Sequence, residues 1–469
     1  MATLTIKNLK FNYAKNKIPI FNDVNLHFAP KTLSIIHGPS GCGKSTLLKI
    51  IARLYPKYSE GITSGKIFLN QRDINLINEL SFRKQIAMMF QNPNQQFCMQ
   101  NGYDELIFTM ENLQLPNDKI SKKINEAIQF GNISNIIHHP FDTLSGGEKQ
   151  RVALSIIYAI NPNIILLDEP FASVDYETRK ILIGKLDQLK HMGKTIIIVD
   201  HDLSLYEKTF DNLIIYNNNN NFKSISYKAS IRKFEEFQIS PAIKCSIPNN
   251  QPITLELQNI SINNGDKKLI QNNSINFYQG YTTLITGKNG SGKTSLFNTL
   301  IKLHPFNGEV IFNQKNIRKI RTAKYYKDIG IIFQDSDKQF IKLTVKEEIQ
   351  LSIKKHNHKL FSTIEIDNFI KNLGLESLLD QVVYSLSEGQ QKKLQILSML
   401  IMGHSVLLLD EPFKGVDLKS IKVINDMIKL AKKRGQTQII ISHQRYELKE
   451  LIDFHITLSN RNLEYKESF

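Results

Sequence analysis

The chain has 469 residues, 41% of them hydrophobic and 22% charged, an ordinary composition for a globular protein. This length exceeds what one compact core holds and predicts two domains of about 200 to 250 residues each. The apolar runs fall far short of the ~20 residues that cross a bilayer, so we expect no membrane-spanning segment. The net charge of +16 comes from lysines spread along the chain without a dense arginine block, so we expect no nucleic-acid partner.

Other bulk features agree with an intracellular protein. The opening stretch MATLTIKNLKF lacks the apolar core of a signal peptide, so we expect no export. Cys42, Cys98 and Cys245 form no disulfide framework and suit a reducing cytosol. Attraction to anionic lipid headgroups or nucleotide phosphates is the alternative interpretation of the basic charge.

The first half predicts alternating strands and helices. KTLSIIHG (31–38) predicts a buried strand, PSGCGK a tight glycine turn, and STLLKIIARL a helix. The region 104–160 is typical of helices and predicts a lateral subdomain, and buried strands follow at 163–167 and 195–199. Such short buried strands separated by helices favour a parallel α/β sheet. The asparagine run 217–221 predicts an exposed hairpin loop.

The second half repeats the first. MMFQNPNQQF (88–97) matches IIFQDSDKQF (331–340), an offset of 334 − 91 = 243 at the glutamine. NIILLDEPFASVD (163–175) matches SVLLLDEPFKGVD (405–417), an offset of 410 − 168 = 242 at the aspartate. We therefore predict two copies of one α/β P-loop fold in tandem, each with a helical subdomain: domain one at 1–228, a turn-rich linker at 229–252, and domain two at 253–469.

Two segments match the phosphate-binding pattern G-x-x-x-x-G-K-[ST]. Their glycines let backbone N–H groups surround the β-phosphate of ATP, the lysine reaches the β- and γ-phosphates, and the hydroxyl of Ser45 or Thr294 ligates Mg²⁺. The predicted ATP-binding residues are Gly38, Pro39, Ser40, Gly41, Cys42, Gly43, Lys44, Ser45 and Thr46 in the first copy, and Gly287, Lys288, Asn289, Gly290, Ser291, Gly292, Lys293, Thr294 and Ser295 in the second. We interpret Cys42 as a small filler of the loop.

An aliphatic strand ending in Asp-Glu supplies the other half of the chemistry in each copy. Asp168 and Asp410 are predicted to hold Mg²⁺, directly or through water, as the strand-end acid of P-loop enzymes does. Glu169 and Glu411 come next and are placed to accept a proton from the attacking water.

Together with LSGGEKQRV (144–152) and LSEGQQKKL (386–394), which we call the signature segments, these motifs resemble the ATP-binding cassette ATPases over essentially the whole chain. The resemblance implies that Gln91 and Gln334 contact Mg²⁺ and the attacking water and lie beside a membrane partner. It implies that His201 and His443 reach the γ-phosphate. The other implied ATP-site residues are Tyr13, which stacks on adenine, the loop aspartates Asp175 and Asp417, and the signature residues Ser145, Gly146, Gly147, Glu148, Ser387, Glu388, Gly389 and Gln390.

The resemblance also implies that the copies pair head to tail, with each ATP between one P-loop and the other copy's signature helix. Gly146 and Gly147 let that helix N-terminus approach a phosphate closely. Glu388 replaces the first glycine in the second copy, where repulsion at about 6 Å and an effective dielectric of ~20 is roughly 3 kcal/mol per charge pair. A side chain that points into solvent is the alternative.

A second difference concerns adenine stacking. Asn264 stands where the first copy has Tyr13, removing a stacking contact worth ~1–3 kcal/mol by analogy with base stacking. Our hypothesis is that site one, with Lys44, Glu169 and His201, binds ATP well and hydrolyses it slowly. Site two, with Lys293, Glu411 and His443, then carries most of the hydrolysis.

FQNPNQQFCMQNGYDELIFTMENL (90–113) resembles the corresponding segment of energy-coupling factor importers of vitamins or of cobalt and nickel ions. The resemblance implies a peripheral protein on the cytoplasmic face of the cell membrane. Its implied partners are a transmembrane coupling protein, gripped near Asp104 and Glu105, and a substrate-capture membrane subunit. The short connector argues against translation factors of the superfamily. A fused sugar-importer ATPase, or a soluble ATPase acting on ribosomes or nucleic acid, are the alternatives.

Overall fold

The structure is a computed structural model, which describes residues 2–13, 19–58, 61–171, 174–217, 221–237, 244–443, 448 and 450–468. Contacts between residues divide the chain into two units, Met1–Gln238 and Ile239–Phe469. Within the described ranges, no helix combines the length and the apolar character that a membrane span requires.

The first unit alternates strands and helices. In chain order they are β1 (Leu4–Tyr13), β2 (Phe21–Phe28), β3 (Leu33–His37), α1 (Lys44–Ile51), β4 (Gly61–Leu69), β5 (Arg72–Asp73), α2 (Glu79–Gln85), β6 (Ile86–Met89), α3 (Gly102–Asn112), α4 (Asn117–Gly131), α5 (Gly146–Ile160), β7 (Ile164–Asp168), α6 (Tyr176–His191), β8 (Thr195–Val199), β9 (Asn212–Asn217), β10 (Asn221–Ser224) and α7 (Tyr227–Glu235).

These elements form two sheets. A four-stranded antiparallel sheet has the order β2-β1-β4-β5, and a six-stranded sheet has the order β10-β9-β3-β8-β7-β6. In the larger sheet all neighbours pair in parallel except β10, which is antiparallel to β9. Strands β3, β7 and β8 are buried along their whole length and consist mostly of aliphatic residues, as parallel strands covered on both faces require.

Two apolar clusters hold the unit together. The larger joins both sheets and helix α1, with Phe11, Leu47 and Leu166 among its buried members. The smaller joins α3, α4 and α5 through residues such as Leu106, Ile124 and Ile156. The helical region therefore has a core of its own, which makes it a lateral subdomain.

The second unit repeats this plan. In chain order its elements are β11 (Ile253–Asn264), β12 (Lys267–Tyr278), β13 (Thr282–Thr286), α8 (Lys293–Leu300), β14 (Asn307–Phe312), β15 (Lys315–Asn316), α9 (Thr322–Asp328), β16 (Ile329–Ile332), α10 (Val345–Lys354), α11 (Thr363–Asn372), α12 (Glu388–Met402), β17 (Val406–Asp410), α13 (Leu418–Lys433), β18 (Thr437–Ile441), β19 (Phe454–Ser459) and β20 (Asn462–Lys466).

The sheet orders of the second unit are β12-β11-β14-β15 and β16-β17-β18-β13-β19-β20. Replacing each strand by its counterpart in the first unit gives the same two orders, so the duplication predicted from the sequence is one of complete folds. The prediction of two α/β P-loop units with helical subdomains is confirmed.

The connector predicted at 229–252 begins inside helix α7. Phe234 and Phe237 are 3% and 1% exposed, and the Phe234 ring packs 4.5 Å from that of Phe210, measured between centroids. The stretch up to 237 therefore completes the first unit. The asparagine run lies between the paired strands β9 and β10, and its central residues, 218–220, are outside the described residues.

Parallel strand order determines where the predicted site residues lie. The carboxyl ends of β3, β7, β8 and β6 lie at one edge of the sheet. They lead, respectively, into the glycine loop at Gly38, the Asp168-Glu169 pair, His201 and Gln91. Residues far apart in the chain are thus brought to one edge in the first unit, and their counterparts to one edge in the second.

Candidate functional site

The glycine loop of the first unit ends in helix α1. Gly43 precedes the helix with a φ of 95°, and a Cβ there would lie 2.4 Å from Ile20 Cγ2, so only glycine fits. Lys44 is 4% exposed, and its Nζ donates to the carbonyl oxygens of Gly38 and Pro39, both at 2.9 Å. The ammonium group is therefore held inside its own loop, where a phosphate can exchange with the carbonyls.

Ser45 and Asp168 provide oxygen atoms next to this loop. Ser45 Oγ donates to Asp168 Oδ1 at 2.8 Å. Burial, and then the charge of Glu169, raise the pKa of Asp168 to about 7. Because ionisation of this buried carboxyl is unfavourable without a nearby positive charge, the site fits a bound cation. Hydroxyl and carboxylate oxygens are ligands that Mg²⁺ prefers.

Mg²⁺ bound with a nucleotide needs few protein ligands, because phosphates and water supply the rest. Among the described residues, no group of three or more His, Cys, Asp or Glu side chains is arranged to hold a metal on its own. The pair Ser45–Asp168 therefore fits an ion that arrives with ATP.

Glu169 is the centre of the first constellation. It follows β7 with a φ of 43°, and its Oε2 accepts from Gln91 Nε2 at 3.0 Å. His201 Nε2 lies 3.0 Å from Glu169 Oε1 and 3.1 Å from Lys44 Nζ, so this nitrogen either donates to the glutamate or accepts from the lysine. The structure thus brings together the predicted glutamine, glutamate, histidine and lysine of site one.

Sequence reasoning missed a buried layer behind His201. Asp200 Oδ2 accepts from Tyr206 Oη at 2.9 Å and from Arg179 Nη2 at 3.3 Å, and Arg179 also pairs with Asp202. Burial, against the opposing charge of Arg179, raises the pKa of Asp200 to about 6. The two aspartates on either side of His201 in VDHD (199–202) were the only indication of this layer in the sequence. No motif pointed to Arg179.

His37 belongs to the same layer. Its Nδ1 lies 3.1 Å from the carbonyl oxygen of Asp200, and its ring packs edge-on against Phe237 with centroids 5.6 Å apart. Burial, and then the neighbouring His201, lower the pKa of His37 to about 3, so the ring is neutral and Nδ1 donates.

The second unit has the same arrangement with different contacts. Lys293 Nζ donates to the carbonyls of Gly287 at 2.7 Å and Lys288 at 3.0 Å. Burial raises the pKa of Asp410, which the Thr294 hydroxyl contacts by a hydrogen bond. The predicted loop lysine, hydroxyl and aspartate of site two are therefore adjacent.

Glu411 has a φ of 47° and, like Glu169, follows a buried strand. Its Oε2 accepts from the backbone N–H of His443 at 3.2 Å, and His443 Nε2 lies 3.6 Å from its Oε1. Burial, and then the charge of Asp410, raise the pKa of Glu411 to about 7. Such a carboxyl is suited to take a proton near neutral pH.

The layer behind the histidine differs between the units. With the offset of 242, Arg179 corresponds to Ile421 and Asp200 to Ser442. Ile421 is 1% exposed and belongs to helix α13. The position of Arg179, the cation of the layer behind His201, is thus occupied by a buried apolar residue in the second unit.

Each signature segment begins a helix with a capping box. Ser145 Oγ accepts from the N–H of Glu148, whose Oε2 accepts in turn from the backbone N–H of Ser145 at 2.8 Å. Ser387 and Gln390 form the same box at α12. Glu388, in the first turn of α12, lies with its Oε1 3.3 Å from Lys414 Nζ, so its carboxylate is ion-paired within its own unit.

Other predicted residues have structural contacts. Tyr13 Oη lies 2.8 Å from Thr46 Oγ1, which ties the end of β1 to helix α1. Asp175 and Asp417 cap α6 and α13, each accepting at 3.0 Å from a backbone N–H three residues on. The role of Tyr13 in adenine stacking and the roles of Asp175 and Asp417 in the ATP sites remain predictions.

The expected partner surface needs one correction. Glu105 is 5% exposed, and its Oε2 accepts from the backbone N–H groups of Cys98 and Met99, both at 2.8 Å. It therefore shapes the loop after Gln91 and cannot line a surface. Asp104 is exposed in the first turn of α3. Cys42 packs partly buried against the core, as expected of a filler.

Comparisons with known proteins agree with this geometry. The ABC transporter family model matches residues 21–172 and 270–414, one match in each unit. A putative HMP/thiamine import ATP-binding protein of Bacillus subtilis is 27% identical over 99% of this chain and 91% of its own length. A putative ABC transporter ATP-binding protein of Treponema denticola is 29% identical over 98% of this chain and 94% of its own.

Solved structures give the same fold. An archaeal ribosome recycling factor, in complex with a ribosomal stalk protein, has a TM-score of 0.64 at 21% identity, covering 96% of this chain and 87% of that chain. A model of a ribosome-bound archaeal Pelota complex gives a TM-score of 0.70 at 19% identity, covering 98% of this chain and 78% of that chain. At these identities the likeness concerns the fold.

Proposed function

The chain belongs to the ABC transporter family and is a tandem ATPase, and from this premise we propose that it powers a membrane importer of the energy-coupling factor type. The observation that carries the proposal is that the catalytic residues, present once in each unit, are linked in the first unit to the FQNPNQQF segment (90–97). Gln91, inside that segment, contacts the catalytic Glu169 at 3.0 Å. A partner docked beside the segment would therefore be connected directly to the chemistry.

Hydrolysis follows from the contacts of each glutamate. Lys44 and Lys293 hold the β- and γ-phosphates once these displace the loop carbonyls. Glu411, whose pKa is raised to about 7 by burial and then by the charge of Asp410, accepts a proton from water more readily near neutral pH than an exposed glutamate would. Glu169 holds the same position in site one. When bound, Mg²⁺ neutralises charge on the phosphates, with Ser45 and Asp168, or Thr294 and Asp410, holding it and Gln91 or Gln334 beside it.

Two unlike sites are part of the proposal. The family resemblance implies that each nucleotide is bound by a P-loop and by the other unit's signature helix. Site one has an ionic layer behind His201 and the aromatic Tyr13, and it binds ATP while turning over slowly. Site two uses the first signature segment, in which Gly146 and Gly147 have no side chain that could obstruct a phosphate. It carries most of the turnover.

The proposed cargo is a vitamin or a transition-metal ion, and the name of the Bacillus subtilis relative, which gives HMP/thiamine import, favours the vitamin class. The proposed partners are a transmembrane coupling protein and a substrate-capture membrane subunit. The chain itself then lies at the cytoplasmic face of the membrane. No nucleic-acid partner is part of the proposal, because the lysines are spread along the sequence without a dense arginine block.

Affinity purification of the tagged full-length chain in mild detergent tests this function. We expect a multi-span membrane protein to copurify in stoichiometric amount, and the complex to hydrolyse ATP. Recovery of ribosomes or RNA instead would contradict the proposal and support the soluble ATPase alternative. A control with Lys44→Ala and Lys293→Ala should retain the membrane protein and lose ATP hydrolysis.

A further inference from the structure

In the second unit, helix α12 contacts the segment FQDSDKQF (333–340), which we call the glutamine segment. Lys392 is 2% exposed, and its Nζ donates to the carbonyl oxygens of Phe333 at 2.8 Å and Gln334 at 3.2 Å. Gln395, one turn further along α12, donates from Nε2 to the Phe333 carbonyl at 3.1 Å. The backbone of Gln334 is thus fixed by a buried cation of the signature helix.

A second layer restrains the same backbone. Gln339 Oε1 accepts from the N–H of Phe333 at 3.3 Å and from Gln395 Nε2 at 2.6 Å. Gln339 Nε2 donates to the carbonyl of Ile331 at 2.8 Å. Buried hydrogen bonds that include a charged donor are stronger than neutral ones, so Lys392 is the main restraint of this network.

The corresponding position of the first unit carries no cation. With the offset of 242, Lys392 corresponds to Gln150 and Gln395 to Ala153, which has no side-chain donor. Gln150 is 2% exposed, and its Oε1 has no hydrogen-bond partner among the described residues. Gln96 Oε1 accepts from the N–H of Phe90 at 3.2 Å, as Gln339 Oε1 accepts from Phe333 in the second unit, so this hydrogen bond is common to both copies.

We propose that Lys392 is a positioning residue for ATP hydrolysis in the second unit, which acts by fixing the backbone of Gln334, the counterpart of the glutamine that contacts Glu169 in the first unit. The ammonium lies between the signature helix and the glutamine segment, so displacement of α12 moves Gln334 with it. In the first unit Gln91 instead reaches Glu169 through its own side chain. The inference rests on ATP hydrolysis and on the role of Gln334, and it does not depend on which membrane partner binds.

The test uses the purified full-length chain in two backgrounds, Glu169→Gln and Glu411→Gln, each leaving one catalytic glutamate. In the Glu169→Gln background we expect Lys392→Met to lower kcat about 10- to 100-fold, because displaced catalytic groups lose rate steeply, with KM for ATP changed less than about twofold. Lys392→Arg should restore part of kcat. In the Glu411→Gln background Lys392→Met should change kcat little.

Gln150→Met is the matched control, since it alters the same helix position of the first unit and removes no contact to Gln91. We expect it to leave kcat and KM unchanged. A loss of kcat for Lys392→Met confined to the Glu411→Gln background would overturn the proposal, because the lysine would then act through the signature helix alone. So would a parallel loss of kcat, ATP affinity and melting temperature that Lys392→Arg does not restore.

Hydrogen–deuterium exchange gives a readout independent of turnover. In the nucleotide-free chain, Lys392→Met should speed exchange in peptides covering residues 330–341, and Gln150→Met should leave peptides covering 87–98 unchanged. Unchanged exchange at 330–341 refutes the positioning role even where a background proves inactive. A failure of the membrane copurification would leave both results intact, so the two proposals fail separately.

Discussion

Glu388 Oε1 lies 3.3 Å from Lys414 Nζ, so the carboxylate that replaces a glycine in the second signature segment is paired by a lysine of the same unit. Lys414 follows the Asp410-Glu411 pair by three residues, and its side chain is 14% exposed. A negative charge in the first turn of α12 is also favoured by the helix dipole. The ion pair with Lys414 offsets part of the repulsion of phosphate expected from the sequence.

Removing the lysine should make Glu388 inhibitory. We expect Lys414→Ala to raise KM for ATP about two- to fivefold, the range that a partly exposed ion pair can account for. Glu388→Gly, which restores the residue of the first copy, should suppress this effect in the double variant. The measurement is steady-state ATPase activity over a range of ATP concentrations in the Glu411→Gln background, where the remaining turnover comes from site one, the site that the second signature segment serves. Equal effects of Lys414→Ala with and without Glu388 would contradict the prediction.

The two catalytic glutamates should contribute unequally. Glu411→Gln should lower ATP turnover about 10²-fold or more, because it removes the proton acceptor of the more active site. Glu169→Gln should leave most of the turnover. Single-turnover and steady-state rates of the full-length chain check this. Retained activity in Glu411→Gln with loss in Glu169→Gln would reverse the proposed assignment of the sites.

Asp168 should destabilise the nucleotide-free fold at neutral pH. Its pKa is about 7 in the fold and about 3.9 in an unfolded chain. The folded state therefore binds the proton more tightly, and stability is lost as pH rises from about 4 through 7. Asp168→Asn removes this loss, and we expect it to raise the melting temperature by at least about 2–4 °C at pH 8 and by less at pH 5.

The exposed Asp266 provides the control for that experiment, since Asp266→Asn should leave the melting temperature unchanged at both pH values. Adding Mg²⁺ and ATP should stabilise the wild-type chain more than Asp168→Asn. A destabilised Asp168→Asn at pH 8 without nucleotide would show that ionisation of this carboxyl costs the fold nothing.

Cys42 should report occupancy of the first phosphate loop. Alkylation by a small thiol reagent should lower ATP binding, because the added group occupies the loop that Lys44 lines. Saturating Mg²⁺ and ATP should slow the modification of Cys42 and leave that of the exposed Cys98 unchanged. Mass spectrometry of the two peptides measures both rates. Equal protection of both cysteines would indicate a global change in structure.

The sequence was informative wherever a short motif carries the chemistry. The repeat offset, the two glycine loops and the Asp-Glu pairs identified the fold and most of the residues at the two sheet edges. The signature segments contain the helix caps Ser145 and Ser387, although these serines and their capping partners Glu148 and Gln390 were expected to serve ATP.

The sequence did not predict contacts between side chains that are far apart in the chain and differ in chemical type. Arg179 on Asp200, Lys392 on Gln334 and Lys414 on Glu388 each join different secondary-structure elements, and no periodicity links such pairs. Glu105 was misplaced for a related reason, because its acidic side chain satisfies loop N–H groups that only the folded backbone brings within reach.

The packing of Phe237 against His37 determines where the chain can be cut into two separately expressed halves. Separate expression of the first half, ended at residue 228, would delete most of α7 and the aromatic ring that keeps His37 dry. Exposed to solvent, His37 would take up a proton in mildly acid buffer. The resulting positive charge would lie next to Gly38, the first residue of the phosphate loop. Half-chains made for reconstitution should therefore extend through residue 237.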